Sequence, residues 1–432
     1  MNRILTFTPF AIIALAAMYS VLSMLGAQKR FRRPVRQQRP LHFVFLVPCL
    51  DEERVIGQTV ERLLALEGPS RSVLVIDDGS SDATAEIVES FWHPDVHVLR
   101  RFLPEARQGK GEALNAGVRH LQMSGILASW AAEDVVVCVV DADGRLDATT
   151  LQEVAPLYSD PEVAGVQIGV RMLNAGDNLL TRMQDVEFVA YSEIFQRSRS
   201  GRGIAGLGGN GQFTRLVALY ELGPDPWTRS LTEDLDLGLR LVSLGWKTQF
   251  CGVVAVHQQA LTSVKKLVRQ RTRWFQGHLQ AAARIPLLAE SKLSLGQACE
   301  LSLLLMLPIV VVGMSLFGLG VWGAAMVKAL FSWRGGIHLT PTSIGRLALM
   351  YVLTFGTSYF YGFVYWLHTS PRRLGLVIRD SHVMVLYQYI WLFAGLRAFW
   401  RAAFQQNDWA KTARLPDSVV VTDERSERQL IG

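Results

Sequence analysis

The chain has 432 residues, half of them hydrophobic, and a formal net charge of +6. That length allows one sizeable core and something beyond it, and the apolar share is high for an enzyme that works wholly in water. The four cysteines (Cys49, Cys138, Cys251, Cys299) show no CxxC or other metal-ligand spacing, so neither a disulfide framework nor a clustered zinc site is expected. Basic and aromatic residues do not interleave along the globular part, which argues against nucleic acid as a partner.

Residues 4–27 carry no charge over 24 positions, enough to cross a bilayer as a helix. The segment QKRFRRPVRQQRP follows at once, with six Lys or Arg between Lys29 and Arg39. A basic cluster just past an apolar segment marks the cytoplasmic side. Residues 1–28 therefore read as an uncleaved anchor with its N-terminus outside. The basic flank also suits anionic lipid.

From about 40 to 260 the pattern is that of an ordinary globular domain. LHFVFLV (41–47), VLVI (73–76), VHVLR (96–100) and VVVCVV (135–140) read as strands, with helices over 52–67, 81–91 and 110–122 between them. This alternation predicts an α/β fold with a mainly parallel sheet. In such sheets ligands bind beyond the carboxyl ends of the strands. At those ends stand PCLDEE, DDGSSD and DADG. Each alone is an ordinary turn sequence, but three acid clusters on one edge repel one another unless a cation or donor offsets them. A hard divalent cation shared with phosphate oxygens supplies that offset, and Asp141 and Asp143 have the spacing for it. QGKGEALNAG (108–117) places Lys110 between glycines at a helix start, where an anion is favoured. Lys110 is thus a candidate for a diphosphate contact.

SLTEDLDLGLRLVSLGW (230–246) opens with Glu233 and Asp234 and continues with Asp236. One reading is a helix capped by Thr232 with acids in its first turn. The other is a positioned carboxylate that takes a proton from a poor hydroxyl nucleophile. SVKKLVRQRTRWFQGHL (263–279) mixes basic and aromatic residues, as an amphipathic helix on a membrane surface does. His257 and His278 read as structural, since neither has a partner at metal-ligand spacing. Residues 300–331 and 346–367 read as a transmembrane hairpin. The last apolar run, 383–396, is 14 residues long before Arg397. It falls short of a hydrocarbon core of about 30 Å and reads as interfacial. The expected layout is an anchor (1–28), a cytoplasmic domain (40–260), an interfacial segment (261–298), the hairpin (299–368), further cytoplasmic or interfacial helices (369–414) and a disordered tail (415–432).

In order along the chain, DDGSSD (77–82), DAD (141–143), GGNGQFTR (208–215), TED (232–234) and QRTRW (270–274) resemble the motif series of membrane-bound glycosyltransferases of family 2, the group of cellulose, chitin, hyaluronan and poly-N-acetylglucosamine synthases. The resemblance spans roughly residues 43–280. It implies a GT-A-type nucleotide-sugar-binding domain plus transmembrane and interfacial helices, working at the cytoplasmic face. It also implies inverting transfer from a nucleotide sugar, usually a UDP-sugar, to form a β-linkage. Carried over, Asp78 contacts the nucleoside, Asp141 the diphosphate side of the donor, and Asp143 binds Mg²⁺ or Mn²⁺. Asp234 is the general base, and Gln270, Arg273 and Trp274 lie near the diphosphate and the acceptor. Pro48 and Glu52 match the strand-end Pro-x-x-Asn-Glu motif, with Asp51 in place of Asn. Glu233 and Asp236 are left to support the helix start.

NDWAKTAR (407–414) resembles a Trp-x-Lys-Thr segment of related synthases. The acceptor is a saccharide or a lipid, with polymer synthesis expected ahead of glycolipid formation. Few spans and no counterpart of the cellulose synthase gating loop imply a partner subunit for exporting a long chain. A catalytically silent nucleotide-sugar-binding scaffold is the competing class, and the presence of the base and of both DxD acids argues against it.

Overall fold

The computed structural model describes residues 18–26, 39–332, 341–369 and 373–404. Most of the expected anchor, nearly all of its basic flank, the NDWAKTAR segment and the tail lie outside the described residues. Strands β1 (His42–Cys49), β2 (Arg71–Asp77), β3 (Val96–Arg100), β4 (Val135–Val139), β5 (Arg145–Leu146), β6 (Val163–Met172), β7 (Gln212–Arg215) and β8 (Lys247–Gln258) form one sheet in the order β3-β2-β1-β4-β7-β6-β8-β5. The helices packed on the sheet and leading away from it are α1 (Ile56–Leu64), α2 (Thr84–Glu89), α3 (Lys110–Met123), α4 (Thr150–Val154), α5 (Leu179–Ala190), α6 (Arg197–Ser200), α7 (Leu216–Glu221) and α8 (Glu233–Ser243). They are followed by α9 (Val264–Ala282), α10 (Ile285–Glu290), α11 (Leu295–Ser332), α12 (Pro341–Leu367) and α13 (Leu374–Ala403).

The central strands are apolar on both sides because helices cover both faces of the sheet. Phe43, Phe45, Val47, Val73, Val75, Val136 and Cys138 enter one core. The alternating residues Val44, Leu46, Leu74, Ile76, Val135, Val137 and Val139 enter the other, as the pleat requires. β1 pairs in parallel with β2 and β4, and β2 with β3. β7 runs antiparallel to both β4 and β6, while β6 and β8 are parallel and β5 opposes β8. Only β5 and β7 therefore oppose the common direction, and the expected mainly parallel sheet is what forms.

Two consequences position the site. Cys49 stands opposite Asp77, and Leu46 opposite Val139, so the acidic ends of β1, β2 and β4 share one edge. Because β7 is reversed, the GGN loop before it arrives at that same edge, with Gln212 opposite Val139.

α1 starts four residues later than the sequence suggests. Asp51 takes a left-handed conformation (φ 53°), and the Glu52 carbonyl accepts from Val55 N at 3.0 Å and Ile56 N at 3.1 Å, so Asp51 and Glu52 form the turn.

Leu295–Gly320, Leu347–Leu367 and Leu374–Ala403 are long and apolar enough to cross a membrane. The run 383–396 is thus the middle of a 30-residue helix and not a short one. Arg379 and Asp380 do not break it, because Asp380 is buried and paired with Arg182 of α5 at 2.7 Å and with Arg379 at 2.8 Å. At its other end Arg401 donates to Gln276 of α9 at 2.9 Å. α12 is tied down similarly, with Tyr365 donating to Asp185 of α5 at 2.8 Å. Glu300 of α11 accepts from the buried Arg199 at 3.3 Å and from Tyr19 of the first described segment at 2.8 Å.

Candidate active site

A cavity of about 1100 Å³ opens at the carboxyl edge of the sheet and continues between α11, α12 and α13. Pro48, Glu52, Asp78, Lys110 and Asp141 line its sheet end, and Asp234, Gln270, Arg273 and Trp274 line its middle. Asp143 lies just behind this wall and is buried. Leu304, Leu307, Val311 and Met314 of α11 and Met350 and Leu353 of α12 line the far end.

Each acid has a distinct setting. Asp78 is buried against Arg101, and burial pushes its pKa up while Arg101 opposes that shift. Asp51 accepts from Ser81 N at 2.7 Å, which ties the turn after β1 to the DDGSSD loop. Lys110, the first residue of α3, places Nζ 2.6 Å from Asp141 Oδ1 and donates to the Gly209 carbonyl. Burial opposes the charge on Lys110, but Asp141, then Glu233 and Asp234, outweigh it and raise its pKa above the ordinary lysine value. The Asp141 backbone is held by Asn210, whose Oδ1 accepts from Asp141 N at 3.1 Å and whose Nδ2 donates to Gln258 at 2.9 Å.

Glu233, Asp234 and Asp236 occupy the first turn of α8, where the helix dipole favours them. Thr232 precedes the helix, but its hydroxyl makes no capping bond; it is buried against Gly277 of α9. A methyl group at position 277 would overlap the Thr232 side chain, so only glycine permits this approach of α9 to α8. Asp236 accepts from Thr228 at 2.9 Å and pairs with Arg284, which is the structural role expected of it. Glu233 does more than support the helix start. It lines the cavity, and burial together with the neighbouring Asp234 charge pushes its carboxyl up to about 7. A Cβ at Gly209 would stand 3.2 Å from Asp234 Oδ2 and 3.2 Å from Lys110 Nζ, so the glycine leaves both groups room at the cavity.

Trp274 is held from within the protein. The Arg271 guanidinium lies over its ring, and Phe188 meets it edge-on with centroids 6.0 Å apart. Arg271 is fully buried and pairs with Glu187 at 2.6 Å; Glu187 also accepts from Tyr387 at 2.6 Å and Trp391 at 2.8 Å. Sequence reading missed Glu187, Arg271, Tyr387 and Trp391. The only local signal was the first of the two basic residues inside QRTRW.

Asp141 offers a hard oxygen donor on the cavity beside Lys110, while Asp143, two residues on, does not line the cavity and has both carboxylate oxygens sealed from solvent. Among the described residues no group of three or more His, Cys, Asp or Glu side chains is arranged to hold a metal by itself. One or two carboxylates completed by substrate phosphates is the ordinary arrangement for Mg²⁺, and these residues fit it.

Residues 40–277 match the family model described as glycosyltransferase like family 2. The β-monoglucosyldiacylglycerol synthase of Synechocystis sp. is 33% identical over 241 residues, 54% of this chain and 47% of that protein. The poly-β-1,6-N-acetyl-D-glucosamine synthase of Staphylococcus epidermidis is 28% identical over 261 residues, covering 58% of each. The chain spans about half the length of these curated relatives. Among solved structures, a mannosyltransferase from Pyrobaculum calidifontis in complex with GDP-Man and Mn²⁺ superposes with a TM-score of 0.61 at 17% identity. The match covers 92% of this chain and 97% of that one, and it shows a shared fold.

Proposed function

Because the chain belongs to glycosyltransferase like family 2, we propose that it transfers a sugar, with inversion, from a nucleotide sugar to a hydroxyl of a membrane-held acceptor. By family resemblance the donor is a UDP-sugar. Asp78 and Glu52 line the nucleoside end, and Lys110 and Asp141 stand where the diphosphate lies. Arg273 adds positive charge for the departing diphosphate. Asp234 takes the proton of the acceptor hydroxyl as the new bond forms. Direct displacement on one face needs one such base and yields a β-linkage from an α-linked donor. A Mg²⁺ or Mn²⁺ ion, held by Asp143 with Asp141 beside it, would supply charge neutralisation for the diphosphate. The solved Mn²⁺ complex of the structural relative supports this choice of ion.

The observation that carries the reading is the continuity of the cavity from Lys110, Asp141 and Asp234 to the largely aliphatic wall of α11, which faces Met350 and Leu353 as well as Thr354, Thr357 and Ser358 of α12. Leucine, valine and methionine suit acyl or prenyl chains, whereas a sugar chain needs partners for its hydroxyls. This moves the balance from polymer synthesis toward a lipid-held acceptor, and the glucosyldiacylglycerol synthases among the relatives support it. A growing saccharide is the second reading, favoured by Trp274, whose ring suits a sugar face. Membranes supplied with labelled UDP-sugars and extracted with chloroform–methanol separate the two. Label in the organic phase on a species with one or two sugars supports the lipid acceptor; label confined to a high-molecular-mass residue overturns it.

A further inference from the structure

His278 lies one turn beyond Trp274 on α9 and lines the cavity with Asp234, Leu304 and Leu307. Its Nδ1 is 3.0 Å from the Trp274 carbonyl. A carbonyl only accepts, so Nδ1 carries the hydrogen and Nε2 of the neutral ring keeps its lone pair. Burial pushes its pKa below the ordinary histidine value, which keeps the ring neutral at pH 7; Asp234 opposes the shift and Arg199 adds to it. Among the described residues Nε2 has no hydrogen-bond partner, yet it is not one of the sealed polar atoms and so opens on the cavity.

An acceptor lone pair on the same cavity as Asp234, within reach of its charge, constrains the substrate. The reacting hydroxyl has one hydrogen, and Asp234 takes it. That hydroxyl cannot also donate to Nε2, and Leu304 and Leu307, which line the cavity with it, have nothing to donate. Resting on the membrane-held acceptor reading above, we propose that His278 is an acceptor-binding residue that takes a hydrogen bond from a second hydroxyl. The acceptor therefore carries a polyol or sugar head group and not a single alcohol.

The test uses the purified full chain with two acceptors, dioleoylglycerol and its β-monoglucoside, and follows donor KM alongside acceptor kcat/KM. The parent is expected to prefer the glucoside by about tenfold or more, the effect of leaving one buried acceptor unmade. His278→Asn keeps a donor for the Trp274 carbonyl but no acceptor at the Nε2 position. It is expected to lose about tenfold on the glucoside through acceptor KM, with donor KM unchanged. His278→Gln places a carbonyl oxygen near the Nε2 position and is expected to retain most activity. A merely structural histidine reverses that order, sparing Asn and penalising Gln, and that result overturns the proposal, as does equal use of both lipids by the parent. If the parent uses neither lipid but elongates a soluble oligosaccharide, the lipid reading fails by itself. The same two variants assayed on that oligosaccharide then still decide the role of His278.

Discussion

The guanidinium carbon of Arg271 stands 4.0 Å from the centre of the Trp274 ring, three residues along the same helix. Arg271, fully buried, is in turn fixed by the partly exposed Glu187 at 2.6 Å, so α5, α9 and α13 meet at one charge pair behind the Trp274 ring. Removing one partner of such a pair leaves a charge uncompensated and costs about 3–5 kcal/mol. Glu187→Ala is expected to lower stability by that amount in detergent unfolding and to raise acceptor KM more than donor KM. An unchanged unfolding midpoint counts against the role given to this pair.

Asp234→Asn is expected to reduce transfer by about 10²–10⁴, the usual worth of general-base help. Donor affinity should stay within a few-fold, because the base acts on the acceptor. Calorimetry with the UDP-sugar and a turnover assay measure the two halves. Near-parental turnover means that another group removes the proton.

Chelation is expected to stop turnover, and Mg²⁺ or Mn²⁺ to restore it. Asp143→Ala should resist that rescue, since the ion would lose its buried protein carboxylate. Titrating metal against both proteins and following donor binding as well as rate checks the assignment; full activity in excess chelator removes it.

Glu233 supplies a pH signature. Its folded pKa is raised from 4.5 to about 7 by burial and by Asp234, so the folded state binds the extra proton across that interval. Stability linked to Glu233 is therefore full below about pH 4.5 and is lost as pH rises through about 7. Glu233→Gln is expected to flatten the thermal midpoint over pH 4.5–8 relative to the parent. Parallel curves for the two proteins would place the titration elsewhere.

α13 is long enough to span, about 45 Å at about 1.5 Å per residue. Yet Asp380 near one end binds Arg182 of α5 in the globular domain, and Arg401 near the other binds Gln276 of α9. If these ties hold both ends on one side, the helix lies along the membrane surface and the chain after it is expected on the same side as the catalytic domain. Phe404→Cys in a Cys299→Ser background is expected to resist an impermeant thiol reagent in intact cells and to react after permeabilisation. Labelling from outside means that α13 crosses.

What the sequence made legible follows from locality. β1, β2 and β4 are short runs buried on both faces, and their acidic ends fall where a parallel sheet must place them. The family motifs singled out Asp141, Asp234 and Trp274, the glycine-flanked helix start singled out Lys110, and all four line one cavity. The Glu187 bonds to Arg271, Tyr387 and Trp391 span 84 to 204 positions and leave no periodic trace. α13 was obscured because Arg379–Asp380 looks like a break until Arg182 supplies its partner. His278 was set aside because an isolated histidine usually is structural, and only the open Nε2 distinguishes it.

The contact of Gly277 with Thr232 has a bearing on how acceptor choice can diversify. Thr232 stands two residues before Asp234, and Gly277 three after Trp274, so the proposed proton acceptor and the proposed sugar platform are carried on one interlocked joint with no slack. A hinge cannot retune such a joint. New acceptor preferences have to arise elsewhere, in the walls that α11 and α12 contribute, where single leucine or methionine replacements reshape the cavity without disturbing the chemistry. The molecule thereby separates a rigid joint from an adaptable vestibule.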